Sequence, residues 1–484
     1  MATKNPVPAS AARRRNQGRP PSAPDGPTGR ITTWVAGLEL DDVPPHVRDR
    51  ASHLLLDGVG CLLVGSHLPW SEIGVEALTK LDSGGGAAIA GWGSRTTSAP
   101  TATLLNGSFI QGFELDDYYP PAPLHVNSIV LPVLLAVASQ QDVSGPDFLL
   151  AAIRGYEVPG RVGLALHGPE MLTRGWHSGV VFGPAASAVA AGTLYDLDAA
   201  GFEDALGMAM TQACGLMSAQ FESMVKRMQH GFAARNGLTA AALAAGGYVG
   251  IKQVFERDYG GFLGVFGEGH DPQPEEITAE LGTRWDTELY AIKPYAAMAG
   301  LHAGIDAVLK LSASNPIDPS NVATIDITVG SAAYGHGGFP IERPITNITA
   351  QMSLRYAVCV ALLDQGALMA QFRTDRINSD DVWDLIAKTT LHEDSSRDTY
   401  KTTVRITEQN GHHHEETVES PKGGSANPLS NEEIVEKFNS LTEPLLDSVR
   451  QKAIRTTVLG MADREDGPRQ LLKLLTAEVP NALA

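Results

Sequence analysis

Two stretches, Gly215-Leu-Met-Ser-Ala-Gln220 and Met224-Val-Lys-Arg-Met-Gln-His-Gly-Phe-Ala-Ala-Arg-Asn-Gly237, place positive charge inside an otherwise small and apolar sequence. The cationic or potentially cationic residues are Lys226, Arg227, His230 and Arg235. A solvated helix face would instead be rich in Glu, Lys and Gln over several turns. The composition therefore indicates positive charge at the wall of an apolar cavity, which suits a small polyanion. A surface loop with ordinary salt bridges is the alternative interpretation.

A second segment, Glu114-Leu-Asp-Asp-Tyr-Tyr-Pro-Pro-Ala-Pro-Leu-His125, is a Pro-rich loop with acids at one end and a histidine at the other. It leads into an apolar helix predicted over residues 128–138. His125 is therefore expected just ahead of a helix N-terminus, which attracts anions and lowers the cost of a neutral imidazole. The alternative is a histidine that only caps the helix or packs against it.

Composition and charge restrict the class of protein. A chain of 484 residues with 43% hydrophobic and 19% charged residues predicts a large core and more than one domain. The formal net charge of −18 argues against nucleic-acid binding, so an anionic ligand must be captured by a local positive site. The three cysteines are widely spaced and fit neither a disulfide framework nor a zinc site, which suits a reducing compartment. The sequence lacks a run of about 18 apolar residues, so we expect no membrane span.

The first 30 residues differ from the rest of the chain. They contain Arg13-Arg-Arg15, several Ala, Ser and Pro, and a single acid, Asp25. Such a composition cannot bury a core and predicts a disordered N-terminal arm over residues 1–30. Arg and Ser without acids are also typical of a mitochondrial presequence, but this segment lacks the apolar face of such a helix. We expect a cytoplasmic protein, with a mitochondrial location as the alternative.

The hydrophobic pattern changes twice along the chain. Residues 31–266 have a helical pattern, with Asp198 as a predicted N-cap, and the pattern changes near residue 286. Residues 322–329 alternate as a half-buried strand, and residues 402–407 and 414–418 form a predicted hairpin around Asn410-Gly411. Ser430-Asn-Glu-Glu433 then has the spacing of a capping box. The sequence predicts a mostly α protein, in which residues 31–286 and 425–484 form a large all-helical domain and residues 287–424 form an inserted, smaller α/β lid domain.

Cofactor motifs are not apparent. A Gly-x-Gly-x-x-Gly after a strand and a Walker sequence are both missing, so no organic cofactor is expected. His412-His-His414 suggests a metal site, but consecutive residues of a regular strand point to opposite faces and cannot all bind one ion. We expect these histidines to be solvated on the hairpin, and no metal or other cofactor.

Further motifs carry a resemblance to a known family. They are Leu55-Leu-Asp-Gly-Val-Gly-Cys61, Gly175-Trp-His-Ser-Gly179, Tyr259-Gly-Gly-Phe-Leu263 and Lys293-Pro-Tyr295. With the two opening segments they resemble the MmgE/PrpD superfamily over about residues 31–475, and the runs around Cys214 and His230 resemble its fungal cis-aconitate decarboxylase branch. The resemblance implies an active site in a cleft between a helical domain and a lid. It also implies a homodimer and a small tricarboxylate substrate. From the charge and the apolar pattern we expect no nucleic-acid or membrane partner.

The resemblance also assigns residues to the site. His125 and Lys226 would be catalytic, as proton donor and as stabiliser of developing charge. The residues that would bind the substrate are His177, Lys293, Glu114, Tyr118 and Tyr334.

The reaction that this branch implies is the cofactor-independent decarboxylation of cis-aconitate to itaconate. Two departures bear on the substrate: Tyr118 replaces the Thr of many members, and Met298 lies where others have Cys or His. A 2-methylcitrate dehydratase-type hydro-lyase, a related trans-aconitate decarboxylase and a non-catalytic binding protein are the alternatives.

Overall fold

The structure is a computed structural model that describes residues 18–220 and 223–483. Its first half is almost entirely helical. The helices there are α1 (Pro27–Gly37), α2 (Pro45–Gly65), α3 (Pro69–Leu81), α4 (Ala99–Ile110), α5 (Asn127–Ala138), α6 (Gly145–Glu157), α7 (Pro159–Ala165), α8 (Gly168–Thr173), α9 (Ser178–Val181), α10 (Gly183–Leu194), α11 (Ala199–Met210), α12 (Gln229–Ala245) and α13 (Phe262–Phe266). A two-stranded antiparallel ribbon, β1 (Ala87–Ala88) and β2 (Thr96–Thr97), interrupts them.

The second half mixes helices with a four-stranded sheet. Its helices are α14 (His302–Ser314), α15 (Ser331–Gly337), α16 (Asn347–Met352), α17 (Leu354–Asp364), α18 (Thr374–Ile377), α19 (Asp380–Ile386), α20 (Asn431–Thr442), α21 (Ser448–Leu459) and α22 (Gly467–Thr476). Its strands are β3 (Val322–Val329), β4 (Thr389–Glu393), β5 (Thr402–Glu408) and β6 (His413–Val418), in the order β4-β3-β5-β6. The prediction of a mostly α protein is confirmed.

Glycines allow the helices around the site to approach closely. A Cβ on Gly107 of α4 would lie 3.0 Å from Gly231 Cα of α12, and one on Gly237 would lie 2.5 Å from Pro184 O of α10. Contacts this short leave no room for a side chain. The predicted N-cap of α11 is also confirmed, because the Asp198 side chain accepts from Gly201 N.

The sheet agrees with the predicted strands and adds one. Ile325, Ile327 and Val329 of β3 are buried, and β5 and β6 form the predicted hairpin, with Gly411 at φ 86° in its turn. β4, which pairs in parallel with β3, was not predicted. Only five residues long, it has too little alternation to be recognised by its period.

The last helices return to the first half of the chain. α20 begins with the predicted capping box at Ser430 and Glu433, and its Phe438 packs 3.3 Å from the position of a Cβ on Gly60 of α2. The division into a helical domain and a lid at residues 287–424 stays a prediction.

The N-terminal segment is partly different from its prediction. Residues 18–30 are packed against the protein: Arg19 pairs with Asp198, Ser22 donates to Glu203, and α1 begins at Pro27. The prediction of a disordered arm is therefore wrong for residues 18–30, since acidic side chains of distant elements satisfy this polar segment. Residues 1–17, on which the targeting alternative depends, lie outside the described residues.

Among residues 18–220 and 223–483, no single helix combines the length and apolar character needed to cross a bilayer. α2 and α3 reach these limits only as a pair, by length and composition, and the chain bends by 83° between them.

Candidate active site

A cavity of about 400 Å³ opens between the helices of the first half and residues 298–400. Its wall contains six of the seven residues assigned by resemblance: Glu114, Tyr118, His125, His177, Lys226 and Lys293. Glu114, Tyr118 and His125 share one loop, whereas His177, Lys226 and Lys293 come from distant parts of the sequence, so the fold brings these three to the loop.

The Glu114 carboxylate is the centre of a buried charge cluster. Lys226 Nζ donates to its Oε1, and Arg227 Nη1 lies 3.3 Å from the same oxygen. Lys293 Nζ lies 3.1 Å from Oε2. One carboxylate therefore faces three cations, two of which, Lys226 and Lys293, line the cavity. The cluster directs an excess of positive charge at the cavity.

The state of Glu114 follows from this environment. Burial alone would raise the pKa of Glu114, but the attraction of Lys226, Lys293 and Arg227 outweighs burial and holds the pKa well below 4.5. The carboxylate is therefore ionised at neutral pH. Its backbone is left-handed, with φ 57° and ψ 31°, a conformation that costs a non-glycine residue about 1 kcal/mol or more. The ion pairs of Glu114 with its three cations offset the free-energy cost of this backbone conformation.

Arg227 also connects the cluster to the second half of the chain. Its Nη2 donates to Gln351 Oε1 at 2.6 Å. Gln351 Nε2 donates in turn to the carbonyls of Phe113 and Ala296, each at 2.9 Å. This buried amide therefore fixes the backbone just before Glu114 relative to the segment that follows Lys293.

Two successive aspartates lie beside His125 and its backbone. Its Nδ1 lies 3.2 Å from Asp116 Oδ2. Burial raises the pKa of Asp116, but His125 and Lys293 outweigh burial and lower it below 3.8, so Asp116 faces the imidazole as an anion. Asp117 accepts from the backbone N–H groups of Val126 and Asn127 at 2.9 and 3.1 Å. Since these groups open α5, the predicted position of His125 ahead of a helix start is confirmed.

His177 lies at the start of α9, where its backbone N–H donates to Gly215 O at 3.2 Å. Burial, reinforced by Lys226 and His125, lowers the pKa of His177 to about 3. Its imidazole is therefore neutral at physiological pH. It can donate a hydrogen bond to an anion without adding a charge.

Tyr118 and Lys293 are held by one backbone bridge. Tyr118 N donates to Ala291 O at 2.9 Å, and Ala291 N donates to Tyr118 O at 2.8 Å. The bridge fixes the extended segment that carries Lys293 two residues further on. The same pair of backbone hydrogen bonds therefore holds both Tyr118 and Lys293 at the cavity wall.

Tyr334 is not brought to the cavity wall. It is 37% exposed on α15, whose Ala332, Ala333 and His336 line the cavity instead. Successive residues of a helix are about 100° apart, so residue 334 points away from the face shared by the other three. The assignment of Tyr334 rested on resemblance alone, which did not include the orientation of this helix.

Other lining residues were not predicted. His336, Thr399 and Tyr400 contribute to the wall from the second half of the chain. Burial lowers the pKa of His336 and raises that of Tyr400 to about 12. Thr399 and Tyr400 follow a charged stretch that is typical of a solvated loop, and none of the three residues belongs to a recognised motif, so the sequence did not point to them.

The opening cationic stretch is divided by the structure. Lys226 lines the cavity and Arg227 is buried beside it at Glu114, which confirms positive charge at a cavity wall rather than on a surface loop. His230 is buried but does not line the cavity. Arg235 is half-buried, lies over the Phe232 ring and donates to Asn236 Oδ1, so it has no part in the cavity. Elsewhere, His412 and His413 are exposed on the hairpin, as expected, but the prediction is wrong for His414, whose side chain is mostly covered and lies 3.6 Å from Glu408. Among the described residues, no three or more His, Cys, Asp or Glu side chains are grouped to hold a metal ion.

Family comparisons agree with this architecture. Residues 29–275 match the MmgE/PrpD N-terminal domain, and residues 295–463 match the MmgE/PrpD C-terminal domain. The chain belongs to the MmgE/PrpD family.

Curated relatives extend over nearly the whole chain. A cis-aconitate decarboxylase-like protein of Aspergillus oryzae is 42% identical over 480 residues, which cover 95% of this chain and 99% of the relative. A cis-aconitate decarboxylase of Aspergillus terreus is 41% identical over 484 residues, 96% of this chain and 98% of the relative. The cis-aconitate decarboxylase of Homo sapiens is 26% identical over 454 residues, 91% of this chain and 92% of the relative.

The acidic loop of the site rests on a buried ion pair. Lys437 of α20 donates to Leu115 O at 2.6 Å, and its Nζ lies 2.6 Å from Asp57 Oδ1 of α2. Both side chains are almost fully buried. Leu115 is the residue between Glu114 and Asp116, so α20 supports the backbone that carries both acids.

We predict that Lys437→Met destabilises the protein by about 3–5 kcal/mol, because it leaves the Asp57 carboxylate buried without its partner. The double variant Asp57→Leu/Lys437→Met removes both charges and should recover most of that loss. Urea unfolding measures both free energies. Lys310→Met is the control, since Lys310 pairs with Glu416 at the surface and should change stability by less than about 0.5 kcal/mol. A double variant as unstable as the single one would contradict the prediction.

Proposed function

We propose that this protein is a cis-aconitate decarboxylase that forms itaconate and CO2. The observation that carries the proposal is the cavity where Lys226 and Lys293 direct positive charge next to the His125–Asp116 pair. A tricarboxylate needs several cations and hydrogen-bond donors in one small space. The names of relatives more than 40% identical over nearly their whole length support the same substrate.

The reaction needs no external electron sink. Cleavage of the bond between the CH2 arm and its carboxylate releases CO2 and leaves the electron pair as an allylic carbanion. The charge spreads through the double bond onto the carboxylate at its far end. A proton delivered to the far carbon shifts the double bond and gives itaconate. The protein must therefore bind carboxylates, stabilise negative charge and supply one proton.

The side chains of the cavity suit these three tasks. Lys226 and Lys293 would hold the carboxylates that remain, and Lys226 would stabilise the developing charge. His125 would supply the proton, with Asp116 orienting its ring and stabilising the cationic form. His177, as a neutral imidazole, would donate a hydrogen bond to a carboxylate, and Tyr118 would shape the wall. Residues 287–424, which contribute Lys293, His336 and Tyr400, would act as a lid.

The test is incubation of the purified protein with cis-aconitate, with itaconate and CO2 as the measured products. We expect both to form in equal amounts. Lys226→Ala should lower kcat by about 10²–10³, the usual effect of removing one preorganised charge stabiliser. Lys310→Ala is the matched control, because Lys310 is exposed on the surface, and should keep normal activity.

The same assay separates the alternatives. Conversion of 2-methylcitrate to an alkene without CO2 would indicate the hydro-lyase, and preference for trans-aconitate would indicate the related decarboxylase. Binding without turnover would indicate a non-catalytic protein. Activity that disappears after dialysis against a chelator and returns with a metal ion would contradict the cofactor-independent reaction.

We also propose that the protein is a homodimer, formed through the helical half of the chain. The support is an exposed apolar surface around the end of α12, where Leu243, Tyr248 and Val249 are all exposed. Leu216 and Met224 add exposed apolar side chains to the segment that precedes α12. Monomers rarely leave such patches open to solvent.

Sedimentation equilibrium should give twice the chain mass of 51.3 kDa. Leu243→Glu should shift the protein toward the monomer, because it buries a charge at the interface. Val449→Glu is the control, since Val449 is 78% exposed on α21 and lies outside this surface. A wild-type mass of one chain would contradict the homodimer, and equal effects of both substitutions would contradict the surface.

A further inference from the structure

His230 is a fully buried imidazole between two site histidines. Its ring centroid lies 4.9 Å from that of His125 and 5.1 Å from that of His177. Its backbone N–H, in the first turn of α12, donates to Gln111 Oε1 at 3.2 Å. A Cβ on Gly179 would lie only 2.1 Å from His230 Nε2, so the glycine at this position makes room for the ring. His230 does not line the cavity and has no role in the reaction proposed above.

One serine determines how this imidazole is protonated. Ser128 Oγ lies 2.9 Å from the carbonyl oxygen of His125 and 2.9 Å from His230 Nδ1. A carbonyl can only accept, so the single hydroxyl hydrogen of Ser128 is donated to His125 O. Ser128 must then accept its second bond, and the donor is the Nδ1–H of His230. His230 is therefore the Nδ1–H tautomer, with a lone pair on Nε2.

The surroundings also keep the ring uncharged. Burial lowers the pKa of His230 well below 6.5, and His125 and His177 lower it further. A neutral ring here spares His125 the repulsion of a full positive charge at 4.9 Å. The imidazole therefore fills the space between the two site histidines without placing a second positive charge next to them.

We propose that His230 is a positioning residue for the decarboxylation, which acts by donating from Nδ1 to Ser128 and so fixing the His125 backbone at the start of α5. The proposal rests on the proposed function for its catalytic consequence. The chain of contacts runs from His230 through Ser128 to His125 O, and His125 then meets Asp116 on its other side. Loss of the first bond releases the serine and allows His125 to shift.

Two isosteric substitutions test the bond. The amide nitrogen of His230→Asn lies near the position of imidazole Nδ1 and can still donate to Ser128. The longer side chain of His230→Gln places its amide near imidazole Nε2 and cannot. We expect His230→Asn to keep kcat within about fivefold and His230→Gln to lose about 10²-fold, the scale of a 1 Å misplacement, with little change in KM.

The Ser128→Ala background shows whether the effect passes through the serine. In that background the difference in kcat between His230→Asn and His230→Gln should disappear, because residue 128 no longer has a hydroxyl that can accept a hydrogen bond from either amide. Equal activity of the two single variants, or a difference that persists in the Ser128→Ala background, would overturn the proposal. A purely structural role for His230 would produce one of those two results.

A readout without substrate separates this inference from the proposed function. The ¹⁵N spectrum of the wild-type imidazoles, with the His230 signals assigned by their loss in His230→Asn, should show protonated Nδ1 and unprotonated Nε2 at pH 7. A cationic ring or an Nε2–H tautomer would overturn the inference even in an active enzyme. If the wild-type protein fails to convert cis-aconitate but shows the expected tautomer, the proposed function fails and the Ser128 bond stands.

Discussion

The attraction between one buried carboxylate and three buried cations is the constraint on which the site depends. Three cations without an anion could not be buried together, since each loses its hydration and repels the others. Glu114 makes the cluster possible, because Lys226, Arg227 and Lys293 all meet its two oxygens. The cluster still carries more positive than negative charge. A protein with a net charge of −18 can therefore hold a local site for anions.

Several elements of the fold hold the members of this charge cluster in place. The backbone on either side of Glu114 is held by two hydrogen bonds. Lys437 of α20 donates to Leu115 O, and Gln351 of α16 donates to Phe113 O. Lys226 comes from the segment before α12, and Lys293 comes from an extended segment bridged to Tyr118. Segments from both halves of the chain are thus needed to place one acidic side chain. A substitution far from the cavity can therefore change its chemistry through this backbone.

Local signals in the sequence predicted much of this fold. The cap at Asp198, the alternating strand at residues 322–329 and the capping box at Ser430 depend on neighbouring residues only, and the structure has all three. Charge among small residues predicted a cationic cavity wall, and motif resemblance predicted six of its lining residues. These signals are readable because each one is contained in a short stretch of chain.

The failures depend on contacts between distant residues. Lys437 and Leu115 are 322 positions apart, so nothing near either residue indicates their hydrogen bond. Residues 18–30 look disordered by composition, yet Asp198 and Glu203 satisfy their polar groups. Tyr334 is the exception, because the helix that turns it away from the cavity wall, α15, is a local element. The role inferred for His230 depends on Ser128, which is 102 positions earlier.

The central claim is that the negative charge of Glu114 stabilises the three buried cations. A carboxylate of a bound ligand should be able to provide the same stabilisation. Thermal unfolding of Glu114→Gln with and without tricarballylate, a saturated and unreactive tricarboxylate, tests it most directly. We predict that the variant alone is less stable than the wild type, and that tricarballylate raises its Tm by more than it raises the wild-type Tm, because the ligand replaces the missing negative charge. Glu170→Gln, at another position on the cavity wall, is the control and should respond like the wild type. A Glu114→Gln variant that tricarballylate stabilises no more than the wild type would contradict the account.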